Sequence, residues 1–280
     1  MSQRPLDCLA VTMHFRSGFG WALRWFVVAA LLGLVACSGV TTRSDKADLM
    51  TASDETETRK RARIRLELAL NYFNEGKTTI ALDELKQSIS VDAGLYEAHS
   101  LRGLIYMRLN EFSLADDSFR QALALNPKAA TVQHNYGLLL CQQGRMADAS
   151  QMFSAALANP TYDERAKTWM IQGLCQAKAG QSRAAETSLL NASQLDPGNP
   201  VVAYNLALQL YKRGELVTAR RYLAPLNGSE LANAESLWLG AKLAYASGDS
   251  QSLQALGRAL GQRFPSSKEL LLFERRSFDE

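Results

Sequence analysis

Little in this chain of 280 residues could build a chemical centre. Past residue 36 it has two histidines, His99 and His134, and three cysteines, with none of the close Cys or His pairs that hold zinc. A glycine-rich phosphate loop and a Gly-x-Ser-x-Gly elbow are both missing. His134 and Cys141 lie seven positions apart, two helical turns or about 10 Å, too far to work as base and nucleophile. Catalysis, a metal, a cofactor and a small-molecule substrate are therefore not expected. An excess of charge of one sign is lacking too. The chain carries 31 Lys and Arg against 28 Asp and Glu, and from Cys37 onward 28 against 27, so no nucleic-acid partner is expected. Composition is that of a globular chain, 47% hydrophobic and 21% charged.

The apolar run from Trp25 to Ala36 is twelve residues long, short of the roughly 20 that cross a bilayer. With Arg16 and Arg24 before it, it reads as the apolar core of a signal peptide over residues 1–36. Its end, Leu34-Val35-Ala36-Cys37, resembles the bacterial lipoprotein signal, which implies cleavage before Cys37 and lipidation of its thiol. A short anchor helix with an incidental cysteine is the plainer alternative. Met13-His14-Phe15-Arg16 would make an ordinary signal start, so Met13 is a candidate initiator. In lipoproteins an aspartate after the cysteine commonly retains the protein at the inner membrane. Ser38 stands there, and the resemblance implies lipid anchoring at the outer membrane, facing the periplasm. Residues 37–59, rich in Ser, Thr, Asp, Glu and Lys, read as a flexible tether able to reach about 70 Å. Asp54 with Glu57 reads as the start of the first helix.

In that compartment, with Cys8 removed and Cys37 acylated, Cys141 and Cys175 remain. An even pair in an oxidising environment reads as a disulfide; two buried free thiols are the alternative.

The body of the chain repeats. Small residues recur at Ala69, Gly103, Gly137, Gly173, Ala207 and Gly240, spaced by 34, 34, 36, 34 and 33 positions. Twelve positions after each comes another: Ala81, Ala115, Ala149, Ala185, Ala219 and Ser252. Four further on stands a large apolar residue: Leu85, Phe119, Phe153, Leu189, Leu223 and Leu256. Two antiparallel helices approach closely only where both present small side chains, and the large group then fills the space towards the next hairpin. Turn residues Gly76, Asn110, Gly144, Gly180, Gly214 and Gly248 separate the two helices, and Asn126-Pro127, Asn159-Pro160 and Asp196-Pro197 end the second. This pattern resembles the tetratricopeptide repeat, a helix-turn-helix unit of 34 residues. The resemblance implies an all-α superhelix of about six hairpins over 60–268, followed by a tail at 269–280.

Stacked hairpins of this kind bind segments of other proteins on a concave wall made by their first helices. Carrying the family's groove positions across places Leu66, Leu70, Phe73, Ser100, Leu104, Met107 and Arg108 on that wall. His134, Leu138, Met170, Leu174, Lys178, Tyr204, Leu208 and Tyr211 continue it. The adjacent Asp116 and Asp117 read as a solvated helix face. His134-Asn135-Tyr136-Gly137, Gly144-Arg145, Ala155 to Pro160, Gly173-Leu174-Cys175 and Phe264-Pro265-Ser266-Ser267, with the lipid signal, are similar to the type IV pilus biogenesis lipoproteins, pilotins of the pilus secretin. That similarity implies a protein that binds the secretin, promotes its membrane localisation and multimer assembly, and supports twitching motility. A lipoprotein scaffold for cell-wall enzymes or outer-membrane assembly is the rival reading.

Overall fold

A computed structural model describes residues 55–279. Cys37 and most of the tether lie outside the described residues. Helix α1 (Glu57–Asn74) pairs with α2 (Thr78–Val91), α3 (Tyr96–Arg108) with α4 (Phe112–Leu125), and α5 (Ala130–Gln142) with α6 (Met146–Leu157). The next pairs are α7 (Arg165–Lys178) with α8 (Ser182–Leu195), α9 (Pro200–Lys212) with α10 (Leu216–Asn227), and α11 (Ala234–Ala246) with α12 (Ser250–Arg263). A short α13 (Lys268–Glu274) follows, and the described residues contain no strand.

Six hairpins thus stack in chain order. Each first helix touches the first helix of the next hairpin, whereas no two successive second helices meet. First helices converge and second helices splay, so the stack curves with the first helices on its inner side. The spacing of the hairpin contact is sterically fixed. A Cβ at Gly103 would sit 2.8 Å from the Phe119 ring, and one at Gly137 would sit 2.7 Å from Phe153. The turn between α5 and α6 needs a left-handed residue, supplied by Gly144 at φ 76°; at the same place in the second hairpin Asn110 takes φ 60°. Where α4 ends, the Asn126 side-chain oxygen accepts from the Lys128 amide at 3.2 Å, which turns the chain into the next hairpin.

Two boundaries differ from the sequence reading. Thr56 caps α1, its hydroxyl accepting from the Arg59 amide at 3.2 Å. Residues 57–59 are therefore helix rather than tether, and Arg59 already pairs with Asp92 across the hairpin at 2.7 Å. Nor do residues 269–279 form a tail apart from the hairpins. Helix α13 packs on α11 and α12, and the buried Phe278 ring stacks on Tyr245 and Trp238 at 4.4 and 5.3 Å. Among the described residues no seventh hairpin covers the sixth, and Phe273 and Phe278 pack on its apolar side.

Polar and covalent ties join the second, third and fourth hairpins, and Arg213–Glu186 and Arg220–Asp249, each at 2.8 Å, continue them to the fifth and sixth. Asp116, expected on a solvated face, is buried at 8% exposure. Its carboxylate accepts from the Tyr136 hydroxyl at 2.9 Å and from Arg120 and Arg145 at 2.7 and 3.1 Å, joining the second hairpin to the third. Between third and fourth hairpins, the Thr168 hydroxyl lies 2.8 Å from His134 Nδ1, 2.9 Å from the Tyr162 hydroxyl and 3.2 Å from the Glu164 carbonyl. All three contacts are satisfied when Thr168 donates to that carbonyl and accepts from Tyr162 and from His134 Nδ1–H. The same two hairpins are joined by a disulfide between Cys141 on α5 and Cys175 on α7, with Cα atoms 5.9 Å apart.

Three predictions follow from these contacts. Gly137→Val should drive a side chain into Phe153 and lower stability by about 1–3 kcal/mol, read as a lower urea midpoint at unchanged slope. Peptide mapping without reductant should recover the Cys141–Cys175 pair. Reduction should cost about 3 kcal/mol, because the bond closes a loop across a sequence separation of 34. The third concerns pH. Burial, with Lys167 adding to it and Glu164 opposing, pushes the His134 imidazole from 6.5 down to about 4. The unfolded chain therefore takes up a proton near pH 6.5 that the folded chain refuses until about pH 4. The contribution is complete above pH 6.5 and is lost as pH falls towards 4, about 3 kcal/mol in all. Urea midpoints of the native chain should fall more steeply across that window than those of His134→Gln; parallel slopes would refute the assignment.

Candidate functional site

The inner wall is laid down by the register of the first helices. Positions one turn apart on α1 bring Leu66, Leu70 and Phe73 to one stripe. Leu70 is 44% exposed, while Leu66 and Phe73 are half-buried against the first core. Leu104 on α3 is half-buried and touches the cores on both sides of it, and Leu138 on α5 is half-buried beside it in sequence order. Arg108 closes the end of this stripe. Its Nη1 donates to the Phe73 carbonyl at 2.7 Å and its guanidinium carbon lies 3.8 Å from the centre of the Phe73 ring. A stacked arginine keeps one face of that ring covered and adds an immobile cation to an otherwise apolar surface.

Three residues expected on the wall are not there. His134 is buried, committed to Thr168 of the next hairpin. Ser100 stands at the equivalent position of α3 and is likewise buried, and Met107 packs with Phe119 and Tyr136 in the central core. The repeat register correctly aims these positions inward, but successive first helices press together closely enough at the second and third hairpins to seal them. Met170 and Leu174 on α7 and Tyr204, Leu208 and Tyr211 on α9 are half-buried, and Lys178 is exposed.

Toward the other end the wall changes chemistry. Tyr204 and Leu208 meet Glu235, Trp238 and Lys242 of α11 and Lys268 and Glu269 of α13 around a cavity of about 230 Å³. The Lys242 ammonium lies 5.7 Å from the Tyr211 ring centre and 5.6 Å from that of Trp238. Burial, and secondarily Lys212, lowers its proton affinity; burial raises that of the Tyr204 phenol, with Glu235 and Glu269 adding to it. The sequence reading reaches Tyr204, Leu208 and Tyr211 but not Glu235, Trp238, Lys242 or α13, although the run Leu270 to Phe273 after Lys268-Glu269 carries an apolar signal. Among the described residues no cluster of His, Cys, Asp and Glu could hold a metal, and no helix is long and apolar enough to cross a membrane. The surface as built offers apolar contact over its first half and aromatic and charged contact over its second, which suits an extended or helical protein segment.

Comparison with known proteins agrees with this geometry. Residues 100–164 match the tetratricopeptide repeat family. The chain is 30% identical over 250 residues to the type IV pilus assembly protein PilF of Pseudomonas aeruginosa, covering 89% of this chain and 98% of that one. A solved structure of Pseudomonas aeruginosa PilF superposes with a TM-score of 0.70 at 28% identity, over 79% of this chain and 100% of that chain. The structure of PilW, described as a widely conserved type IV pilus biogenesis factor, superposes with a TM-score of 0.66 at 32% identity, over 75% and 96%. With the superhelix, the inner wall and these relatives taken together, the chain belongs to the tetratricopeptide-repeat family of type IV pilus biogenesis proteins represented by PilF and PilW.

Proposed function

We propose that this protein is an outer-membrane lipoprotein that holds a segment of the type IV pilus secretin on its inner wall and promotes secretin localisation and multimer assembly. The observation that carries the reading is the apolar stripe of the first two hairpins. Leu70 stands exposed beside half-buried Leu66, Phe73 and Leu104, on a helix packed along its own hairpin partner. An exposed leucine flanked by apolar neighbours already ordered in the core offers a partner an apolar anchor that needs little further ordering. Membership of the pilus biogenesis family supports pilus machinery as the partner, and the Leu-Val-Ala-Cys sequence supports lipid attachment at Cys37. A lipid on that cysteine, a polar tether and a docking wall would together raise the local concentration of secretin subunits at the membrane where they assemble. Nothing in this reading calls for turnover of a substrate.

Leu70→Asp tests it. The side chain is 44% exposed and outside the buried core, so the variant should stay folded with only a small drop in urea midpoint while secretin multimers in membrane fractions fall severalfold and twitching is lost. Cys37→Ala should leave the protein folded but release it from the membrane fraction. Normal multimers in a strain carrying Leu70→Asp would remove the first hairpins from the binding site.

A further inference from the structure

The geometry points to a second site, for a phosphate group, on the edge of the stack between the start of α8 and the end of α9. A cavity of about 270 Å³ opens there, lined by Ser182, Arg183, Glu186, Gln209, Lys212 and Arg213. Helix α8 is 14 residues long, and Gln181 before it makes no side-chain capping bond. The amide N–H groups of its first turn are left without a side-chain acceptor, and the positive end of the helix dipole lies at the cavity wall. That alone singles out nothing, because α2, α4, α6 and α10 also begin uncapped.

Gln209 distinguishes this place. It is only 5% exposed, it lines the cavity, and no described residue hydrogen-bonds its side-chain amide. The little of Gln209 that is accessible includes its amide, which opens on the cavity rather than being sealed in the core, and a ligand oxygen there would accept from its Nε2. Charge favours an anion. Arg183 and Lys212 carry no ion pair with described residues. Arg213 is shared between Glu186 at 2.8 Å and Glu215 at 3.9 Å. Within the lining, three cations therefore face one carboxylate, and that carboxylate is already engaged by Arg213. The donors are of five kinds: helix N–H, the Ser182 hydroxyl, a primary amide, a guanidinium and an ammonium. They arrive from two helices at different angles. A planar carboxylate would use few of them, whereas the several oxygens of a phosphate can use most. The phosphate could be free in solution or belong to a phospholipid headgroup.

The test uses the full chain. Titration with inorganic phosphate, followed by phosphorus NMR linewidth, should show saturable binding that sulfate displaces and chloride does not. Arg183→Gln with Lys212→Gln should weaken it by about tenfold or more, at an unchanged thermal midpoint because both side chains are exposed and unpaired. Gln209→Leu should weaken it severalfold while keeping the buried volume. The two sources separate in a second arm, with Cys37→Ala in the background so that no lipid on the protein contributes. Sedimentation with phosphatidylglycerol vesicles, but not phosphatidylcholine vesicles, that depends on Arg183 and Lys212 assigns the headgroup. Phosphate binding without such sedimentation assigns the free anion. Absence of saturable phosphate binding, or equal affinity in the double variant, overturns the site.

Discussion

Everything in this fold depends on how closely the two helices of each hairpin can approach. Gly103, Gly137 and Gly173 lie where any Cβ would fall under 3 Å from Phe119, Phe153 or Leu189. The large residue of the second helix therefore seats on bare backbone of the first. That seating fixes the depth of the hairpin, and the depth fixes how the next hairpin stacks. The apolar cores bear this out. They form successive clusters shared between neighbours, Leu104 touching two of them and Leu256 and Phe273 two more, so that no hairpin has a core wholly its own.

The binding wall is a by-product of the same geometry. Because only first helices meet their successors, the inner side collects their residues at a regular register and the outer side opens. The constraint also limits the wall. At His134 and Ser100, side chains that the register aims inward are sealed between hairpins and become structural. The two ends of the wall differ in character: leucine and phenylalanine on one side, tryptophan, tyrosine, lysine and glutamate on the other.

Most of the architecture was legible in the sequence because it rests on small side chains, turn residues and helix stops, whose spacing survives without coordinates. The periodic positions named six hairpins, and Asn110 stood out as the turn residue that replaces glycine. What was not legible depended on long-range partners. Nothing local distinguishes Asp116, which is buried and shared by Tyr136, Arg120 and Arg145, from Asp117 beside it, which is solvated. The same holds for His134, whose burial is decided by Thr168 one hairpin away. Helix α13 escaped because a single short helix has no repeat to align with, and Gln209 because an unpaired amide is visible only once its surroundings are built.

The distribution of cross-links has a mechanical consequence. The Asp116 cluster, the Thr168 cluster and the Cys141–Cys175 bond all fall between the second and fourth hairpins, whereas the first hairpin is held to the second by apolar contact and by Arg108, which stacks on Phe73 and donates to its carbonyl. Ties continue beyond that region through Arg220 to Asp249 and Ser247, so the stack opens most cheaply from its first hairpin. Helix α1, which carries Leu66, Leu70 and Phe73, thus belongs to the portion best able to breathe, and can adjust its tilt to an incoming polypeptide while the braced middle keeps its shape.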